Sequence, residues 1–212
     1  MADCGGGAER PAGPSAGSAI FQDAQTLKVT MRDAISTSPN SFLTTLRDVA
    51  SKEAEDWIQE IKSSTWVVAE RDGEGVGVAA CKPPEQGEDE ESDHDSRYIE
   101  SVWIHPRLRG RRLGERLIRY LIAVEFRKNP GIRQFLLWVF ESNKSAISLY
   151  KRMEFVSTGD RHDGFRPEIK YRLDVSLKSY MDSWQTADEA LVGDGMENYR
   201  VTYRVLGDGD SA

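Results

Sequence analysis

The chain of 212 residues has few cysteines and no long apolar run. Its two cysteines lie in a glycine-rich terminus (Cys4) and in an apolar run (Cys81), so we expect neither a disulfide between them nor a metal site. The longest apolar run, residues 135–140, is far too short to span a bilayer. The N-terminus also lacks the apolar stretch of a secretory signal. These absences predict a cytoplasmic protein with no metal and no membrane partner.

The chain also has no excess of positively charged residues. The chain has 28 Lys and Arg against 35 Asp and Glu, which gives a net charge of -7 at pH 7. A net negative protein repels phosphate backbones, so we expect no nucleic-acid partner. Residues 83–96 are nearly all polar and largely acidic, and we interpret them as a mobile loop. This loop is either a solvated hairpin tip or a gate that attracts a cationic substrate.

The hydrophobic pattern predicts an α/β domain over residues 19–175, between a disordered tail (1–18) and an extension of unknown role (176–212). The order is two helices, three strands, a helix, a strand, a helix and two strands, which is typical of a mixed sheet with helices on its faces. The predicted helices span about residues 23–36, 52–62, 110–127 and 143–153. The predicted strands span residues 65–69, 75–81, 98–104, 135–139, 155–158 and 168–175, and residues 199–206 are a further candidate.

The most informative stretch, residues 98–117, is a strand, a turn rich in Gly and Arg, and an apolar helix. The first N–H groups of a helix have no partner inside the helix and lie at the positive end of its dipole. Gly110 and Gly114 allow a close approach to these groups, and the arginines add charge-assisted contacts. The pattern therefore predicts a phosphate-bearing ligand at this terminus. A solvated basic helix start and a nucleic-acid patch remain as alternatives.

Two motifs then resemble the GNAT acetyltransferases. Arg109–Gly114 is similar to their pyrophosphate loop, R/Q-x-x-G-x-G/A, and Asn143–Phe155 resembles their N-x-x-A-x-x-L-Y-x-x-x-G-F helix. Arg112 and Glu154 depart from the pattern, since the family has Gly at both positions. The resemblance implies the GNAT fold, a mixed and mostly antiparallel sheet of about six to seven strands flanked by about four helices. It also implies acetyl-CoA as the cofactor and the absence of a metal.

The resemblance carries over to specific cofactor contacts. The strand backbone would pair with the pantetheine arm, and the loop amides would hold the diphosphate of coenzyme A. Asn143 would bond to the cofactor or merely cap its helix. The implied cofactor-binding residues are Val102, Trp103, Ile104, Arg109, Gly110, Arg111, Arg112, Leu113, Gly114, Asn143 and Tyr150.

Tyr150 is the candidate acid that protonates the departing thiolate, although an ordinary core tyrosine is the alternative. Glu100 is the candidate base for the amine, on a strand face that alternation shares with Val102 and Ile104. A carboxylate that simply faces water is the alternative for Glu100. The lesser candidates for the base are Tyr98, Glu141 and Asp163.

The acceptor site is expected between the first helices and the closing strands, at Phe42, Leu43, Trp57 and the loop of residues 160–167, with Phe42, Trp57 and Glu100 as substrate residues. The residues together predict transfer of an acetyl group from acetyl-CoA to the primary amine of a small molecule, directly in a ternary complex. A homodimer is an option. The alternatives are a protein N-terminus or lysine as the acceptor, and a non-catalytic acyl-CoA-binding module.

Overall fold

The computed structural model describes residues 16–85, 87, 93–175 and 201–208. The helices are α1 (Ala16–Thr37), α2 (Leu46–Ser51), α3 (Ala54–Ser63), α4 (Leu113–Lys128) and α5 (Lys144–Arg152). The strands are β1 (Thr65–Arg71), β2 (Glu74–Lys82), β3 (Ser96–Ile104), β4 (Gln134–Phe140), β5 (Val156–His162), β6 (Glu168–Asp174) and β7 (Thr202–Val205). Short 3-10 turns lie at Pro39–Ser41 and Pro106–Leu108.

These strands form one sheet in the order β5-β6-β4-β3-β2-β1-β7. Every pair is antiparallel except β3 with β4, which are parallel. The predicted fold class is therefore confirmed, with seven strands in the described part of the chain. β7 comes from the predicted extension and pairs with β1 at the edge of the sheet far from β5.

Two apolar layers hold helices against the two faces of the sheet. On one face, α4 and α5 pack over a large cluster that includes Leu117, Leu121 and Phe135. On the other face, α1 and α3 pack over a cluster with Leu27 and Trp103. Each fully buried side chain of this size contributes roughly 1.5–3 kcal/mol. The two layers therefore fix the sheet between the helices.

Local geometry explains where the elements differ from the sequence prediction. The six-residue α2 was not predicted, since it is too short to show a helical period, and a capping box between Thr45 and Asp48 starts it. α4 begins at Leu113 and not near residue 110, because Gly110 has a φ of 77° and Arg112 is left-handed at the N-cap. α1 begins at Ala16, inside the stretch that was predicted to be disordered.

The feature that creates the site is a separation of β3 from β4. The two strands pair only where Ser96–Tyr98 meets Gln134–Leu136. Beyond this point β3 carries a bulge, with Ser101 at a φ of 54° and a register shift opposite β2. A bulge bends its strand and leaves part of the ladder unpaired. The far ends of β3 and β4 therefore border a gap in the sheet.

The same residues give no sign of a membrane span or a metal centre. Among the described helices, none is both long and apolar enough to cross a membrane. Within the described ranges, His, Cys, Asp and Glu side chains form no group of three or more that is placed to hold a metal ion. Cys81 is a buried free thiol, and Cys4 lies outside the described residues.

Candidate active site

A cavity of about 750 Å³ lies where the end of β3 meets the start of α4 and the exposed side of α5. Nearly all of the predicted cofactor residues line it. They are Val102, Trp103, Ile104, Arg109, Gly110, Arg112, Leu113, Gly114, Asn143 and Tyr150. Arg111 is the one predicted cofactor residue that does not line this cavity. Residues of α5 that the sequence analysis did not select also line this cavity, namely Lys144, Ser145, Ser148 and Arg152.

The start of α4 is suited to an anionic ligand. The first hydrogen bond inside the helix runs from Arg116 N–H to the carbonyl of Arg112, at 3.1 Å. The amides of Leu113, Gly114 and Glu115 thus precede the first helical partner, and the Arg112 side chain does not cap them. Gly114 lets α5 approach, because a Cβ there would lie 3.2 Å from Cδ2 of Leu149. This terminus fits the diphosphate of coenzyme A, which needs donors and positive charge.

The arginine side chains of the loop are directed to protein partners. Arg109 donates from Nε to the carbonyl of Ile104 at 3.0 Å and from Nη2 to Oγ of Ser38 at 2.7 Å. Arg112 donates from Nε to the carboxylate of Glu115, in the first turn of α4, at 3.2 Å. Both side chains position the loop and the strand end, and neither contact closes the cavity at the helix N-terminus.

α5 places two further predicted residues beside the cavity. The side chain of Asn143 caps the helix, since its Oδ1 accepts from Ala146 N–H at 3.2 Å. Tyr150 is 6% exposed, and its ring lies 5.7 Å from that of Phe155. Burial raises the pKa of Tyr150 well above its ordinary value, so the phenol stays protonated at neutral pH. Tyr150 therefore carries its proton at the edge of the cavity.

A second cavity of about 450 Å³ adjoins the first through the gap between β3 and β4. Tyr150, Asn143 and Val102 line both cavities, so they lie at the junction. Phe42 and Leu43 form one wall of the second cavity. Trp57 does not line it, because that indole is 2% exposed in the core between α3 and the sheet.

Glu100 lines the second cavity on the opposite sheet face from Val102 and Ile104. It pairs with Ala80, which packs in the α1 and α3 cluster, whereas Ile104 packs in the α4 cluster. The bulge at Ser101 inserts one residue and reverses the alternation, so the expectation of a shared face was wrong. The carboxylate is 37% exposed and lies 3.0 Å from Nζ of Lys82.

Lys82 is a charged neighbour of Glu100 that was not among the predicted site residues. Desolvation on partial burial lowers the pKa of Lys82, but hydrogen bonds and charge from Glu85 and Glu100 outweigh it. The net result is a raised pKa, so Lys82 stays positively charged at neutral pH. A cation therefore already lies against the Glu100 carboxylate at the second cavity.

Two other residues of the second cavity, Trp138 and Glu168, were also missed, whereas His162 belongs to the 160–167 loop that was expected at the acceptor site. Trp138 stacks on His162 with the ring centroids 3.9 Å apart, and Glu168 pairs with His162 across the hairpin. Burial raises the pKa of Glu168 above its ordinary value, against the positive influence of His162 and Arg166. Strand alternation on β4 places Trp138 on the face opposite Leu137 and Val139, which pack in the α4 cluster. This alternation could have identified Trp138 from the sequence. The hairpin register that adds His162 was not readable from the sequence.

The lesser candidates for the base have other surroundings. Tyr98 is buried and lines the second cavity. Glu141 and Asp163 each pair with Arg161, at 2.5 Å in both cases, and neither lines that cavity. Among the three predicted carboxylates, Glu100 is thus the one that lines the second cavity.

The sequence profile of the Acetyltransferase (GNAT) family matches residues 30–155, more than half of the chain. The chain belongs to this family. The family predicted from Arg109–Gly114 and Asn143–Phe155 is thereby confirmed. GNAT membership also agrees with the expected acyltransferase activity and with acetyl-CoA as the cofactor.

Two curated relatives match part of this GNAT chain. An uncharacterized N-acetyltransferase of Methanocaldococcus jannaschii is 33% identical over 99 residues, which cover 47% of this chain and 42% of the relative. The thialysine N-epsilon-acetyltransferase of Mus musculus is 37% identical over 54 residues, which cover 26% of this chain and 31% of the relative. The chain thus spans less than half of the length of these relatives.

Solved structures share the fold over a longer range. The yncA protein of Salmonella typhimurium, solved with its cofactor acetyl-CoA, superimposes with a TM-score of 0.56 at 17% identity. The match covers 73% of this GNAT chain and 90% of that one. At this identity the likeness shows a common fold.

Proposed function

We propose that the protein transfers the acetyl group of acetyl-CoA to the primary amine of a small molecule, directly in a ternary complex. The observation that carries this proposal is the junction of two cavities at Tyr150, in the gap between β3 and β4. A larger cavity at a helix N-terminus suits a cofactor with a diphosphate. A smaller cavity on the other side of the gap suits an amine.

Acetyl-CoA supplies an activated acetyl group as a thioester, whose transfer breaks a C–S bond and forms a C–N bond. The amides at the start of α4 would bind the diphosphate. The edge of β3 that faces the gap would bond to the pantetheine arm, as an added strand does. Arg109 supports that edge, since it holds the carbonyl of Ile104 and anchors it to Ser38.

The proton steps fall to two side chains on opposite sides of the junction. Glu100 would accept the proton of the amine directly or through water, because its carboxylate borders the acceptor cavity. A backbone N–H at the end of β3, that of Ile104, would stabilise the developing negative charge on the carbonyl oxygen. Tyr150 would donate its proton to the departing sulfur and regain one from solvent.

Several features favour a small amine as the acceptor. The cavity is lined by aromatic rings, namely Phe42, Tyr98, Trp138 and Phe140, and by the carboxylates Glu100 and Glu168. Aromatic faces and carboxylates both attract a cation, so an amine with an apolar body fits. The name of the thialysine N-epsilon-acetyltransferase, a matched relative, points to the same class of acceptor.

A thiol-release assay with acetyl-CoA tests the proposal. The panel contains polyamines, aminoglycosides, amino acids and short peptides, with protein-free and acceptor-free reactions as controls. We expect release that depends on a small amine and a mass increase of one acetyl group on that amine. Release with peptides alone would support a peptide acetyltransferase. Affinity for coenzyme A without transfer to any amine would support a binding module.

A further inference from the structure

Arg166, in the loop between β5 and β6, joins two segments that are far apart in the sequence. Its Nη1 donates to the carbonyl of Phe42 at 2.8 Å, and its Nη2 donates to the carbonyl of Asn40. The guanidinium carbon also lies 3.7 Å from the centroid of the Phe140 ring. One side chain thus connects the β5–β6 loop, β4 and the segment between α1 and α2.

The segments that Arg166 joins are walls of the acceptor cavity. Phe42 and Leu43 line the cavity from the α1–α2 segment, and His162 and Glu168 line it from the two strands that flank the β5–β6 loop. The Phe140 ring lies beneath the guanidinium and also lines the cavity. The contacts of Arg166 therefore run from one wall of the cavity to the other and tie the two walls together.

The opposite end of the acceptor cavity adjoins a further space. Lys82 and Glu100 line both the acceptor cavity and a groove of about 820 Å³ beside α3. This groove also has Asp56, Glu60 and Glu85 along it. A cationic amine can therefore reach Glu100 from this side without passing the Arg166 contacts.

Arginine suits this bridge for a geometric reason. Its planar guanidinium presents several N–H donors in a fixed fork and stacks on an aromatic face at the same time. Two backbone carbonyls and one ring need all of these properties at once. A lysine at the same place has a single ammonium, which can reach one carbonyl but cannot reproduce the fork.

We propose that Arg166 determines acceptor specificity, because it closes the cavity between the β5–β6 loop and residues 39–45 and so restricts the acceptor to small amines. This inference rests on the proposed acetyl transfer. A lysine inside a peptide carries its amine at the end of a side chain, while the peptide backbone continues in two directions across the mouth of the cavity. The Arg166 bridge obstructs one of these directions and leaves the side at Lys82 and Glu100 open.

The test compares free lysine and free thialysine with the same residues in the middle of an alanine pentapeptide. We expect the wild-type protein to acetylate the free amines with a kcat/KM at least about tenfold above that for the peptides. Arg166→Ala should reduce this preference about tenfold or more, by a change in the acceptor KM, while the KM for acetyl-CoA stays within about twofold. Arg166→Lys should lie between the two.

Arg172→Ala is the matched control, since Arg172 lies on β6 and pairs with Asp174 at an exposed site. It should keep the wild-type preference. Equal use of peptides and free amines by the wild type, or an unchanged preference in Arg166→Ala, would overturn the proposal for Arg166 alone. Transfer to no amine at all would instead refute the proposed function. If Arg166→Ala melts below the assay temperature, the comparison is made with Arg166→Lys, and an unchanged preference there counts against the proposal.

Discussion

Tyr150 lies at the point where the two cavities meet, and its burial fixes its protonation state. A buried phenolate would lose its hydration without a compensating charge, so the pKa of Tyr150 is raised well above the ordinary value. The hydroxyl therefore remains protonated over the pH range in which most amines lose their proton. A tyrosine in this setting holds the proton that the proposed transfer to sulfur requires, and it cannot serve as the base for the amine.

Replacement of Tyr150 by Phe should lower kcat about 10–100-fold, which is at or below the lower end of the usual effect of a positioned general acid. The effect is modest because a thiol, with a pKa of about 8.5, is already a fair leaving group. The KM for acetyl-CoA and the melting temperature should change little, since Phe keeps the ring that packs near Phe155. The shape of the pH–rate profile should also be the same for both proteins below about pH 10. An unchanged kcat would show that Tyr150 only packs.

The residues of the site differ in how readable they were from the sequence. Tyr150 and Asn143 follow from a motif on one helix, where spacing alone fixes the face. The face of Glu100 was predicted wrongly, because a single extra residue at Ser101 reverses the alternation of β3. Lys82 and His162 reach the cavity from other strands, and their positions depend on strand pairing that the sequence does not give.

At the scale of the element, α5 ends with a left-handed residue that is not glycine. Glu154 has a φ of 67°, and the hydrogen bonds around it form a Schellman motif. Phe155 N–H donates to the carbonyl of Tyr150 at 3.0 Å, and Glu154 N–H donates to that of Lys151 at 3.1 Å. The helix thus ends as it would with glycine, and the side chain of Glu154 is held in a strained backbone conformation.

Glu154→Gly should therefore stabilise the protein by about 1 kcal/mol, the usual cost of a side chain at a left-handed position. Urea unfolding monitored by fluorescence measures the change. Glu154→Ala is the matched control, because it removes the carboxylate and keeps the Cβ. A gain in Glu154→Ala equal to that in Glu154→Gly would assign the effect to charge and not to the backbone.

Elements with a clear hydrophobic period were predicted well, whereas the starts of α1 and α4 and the short α2 were not. α4 has apolar residues along one stripe over 16 residues, so its period is plain, and Asn129–Gly131 ends it. The start of α4, by contrast, depends on the left-handed Arg112, where the sequence shows an ordinary side chain. α2 has six residues and one buried side chain, which is too little for a period to appear.

At the scale of the whole molecule, β7 joins a sheet whose other strands precede residue 175. Leu206 N–H donates to the carbonyl of Trp66 at 2.9 Å, and Gly207 N–H donates to Oδ2 of Asp23 at 2.8 Å. Arg204 also bridges Asp23 of α1 and Glu70 of β1. β7 therefore ties the sheet edge to the first helix, at the opposite end of the sheet from β5.

Asp23 is buried. Without Arg204, its carboxylate would keep the Gly207 N–H as the partner among the contacts named above. Truncation of one partner of a buried pair costs more than removal of both, because the remaining charge is desolvated without compensation. We expect Arg204→Ala to destabilise the protein more than Arg204→Ala combined with Asp23→Ala.

A double-mutant cycle in urea should give a coupling energy of about 0.5–3 kcal/mol between Asp23 and Arg204. The pair lies at the sheet edge, far from the gap between β3 and β4. Its loss should therefore lower the free energy of unfolding without changing the cofactor site. The KM for acetyl-CoA in the single variants should therefore equal that of the wild type at temperatures where each remains folded. Additive losses would mean that Asp23 and Arg204 contribute independently. A raised KM would mean that β7 also supports the cofactor site, through the stacked rings of Tyr203 and Tyr120 of α4.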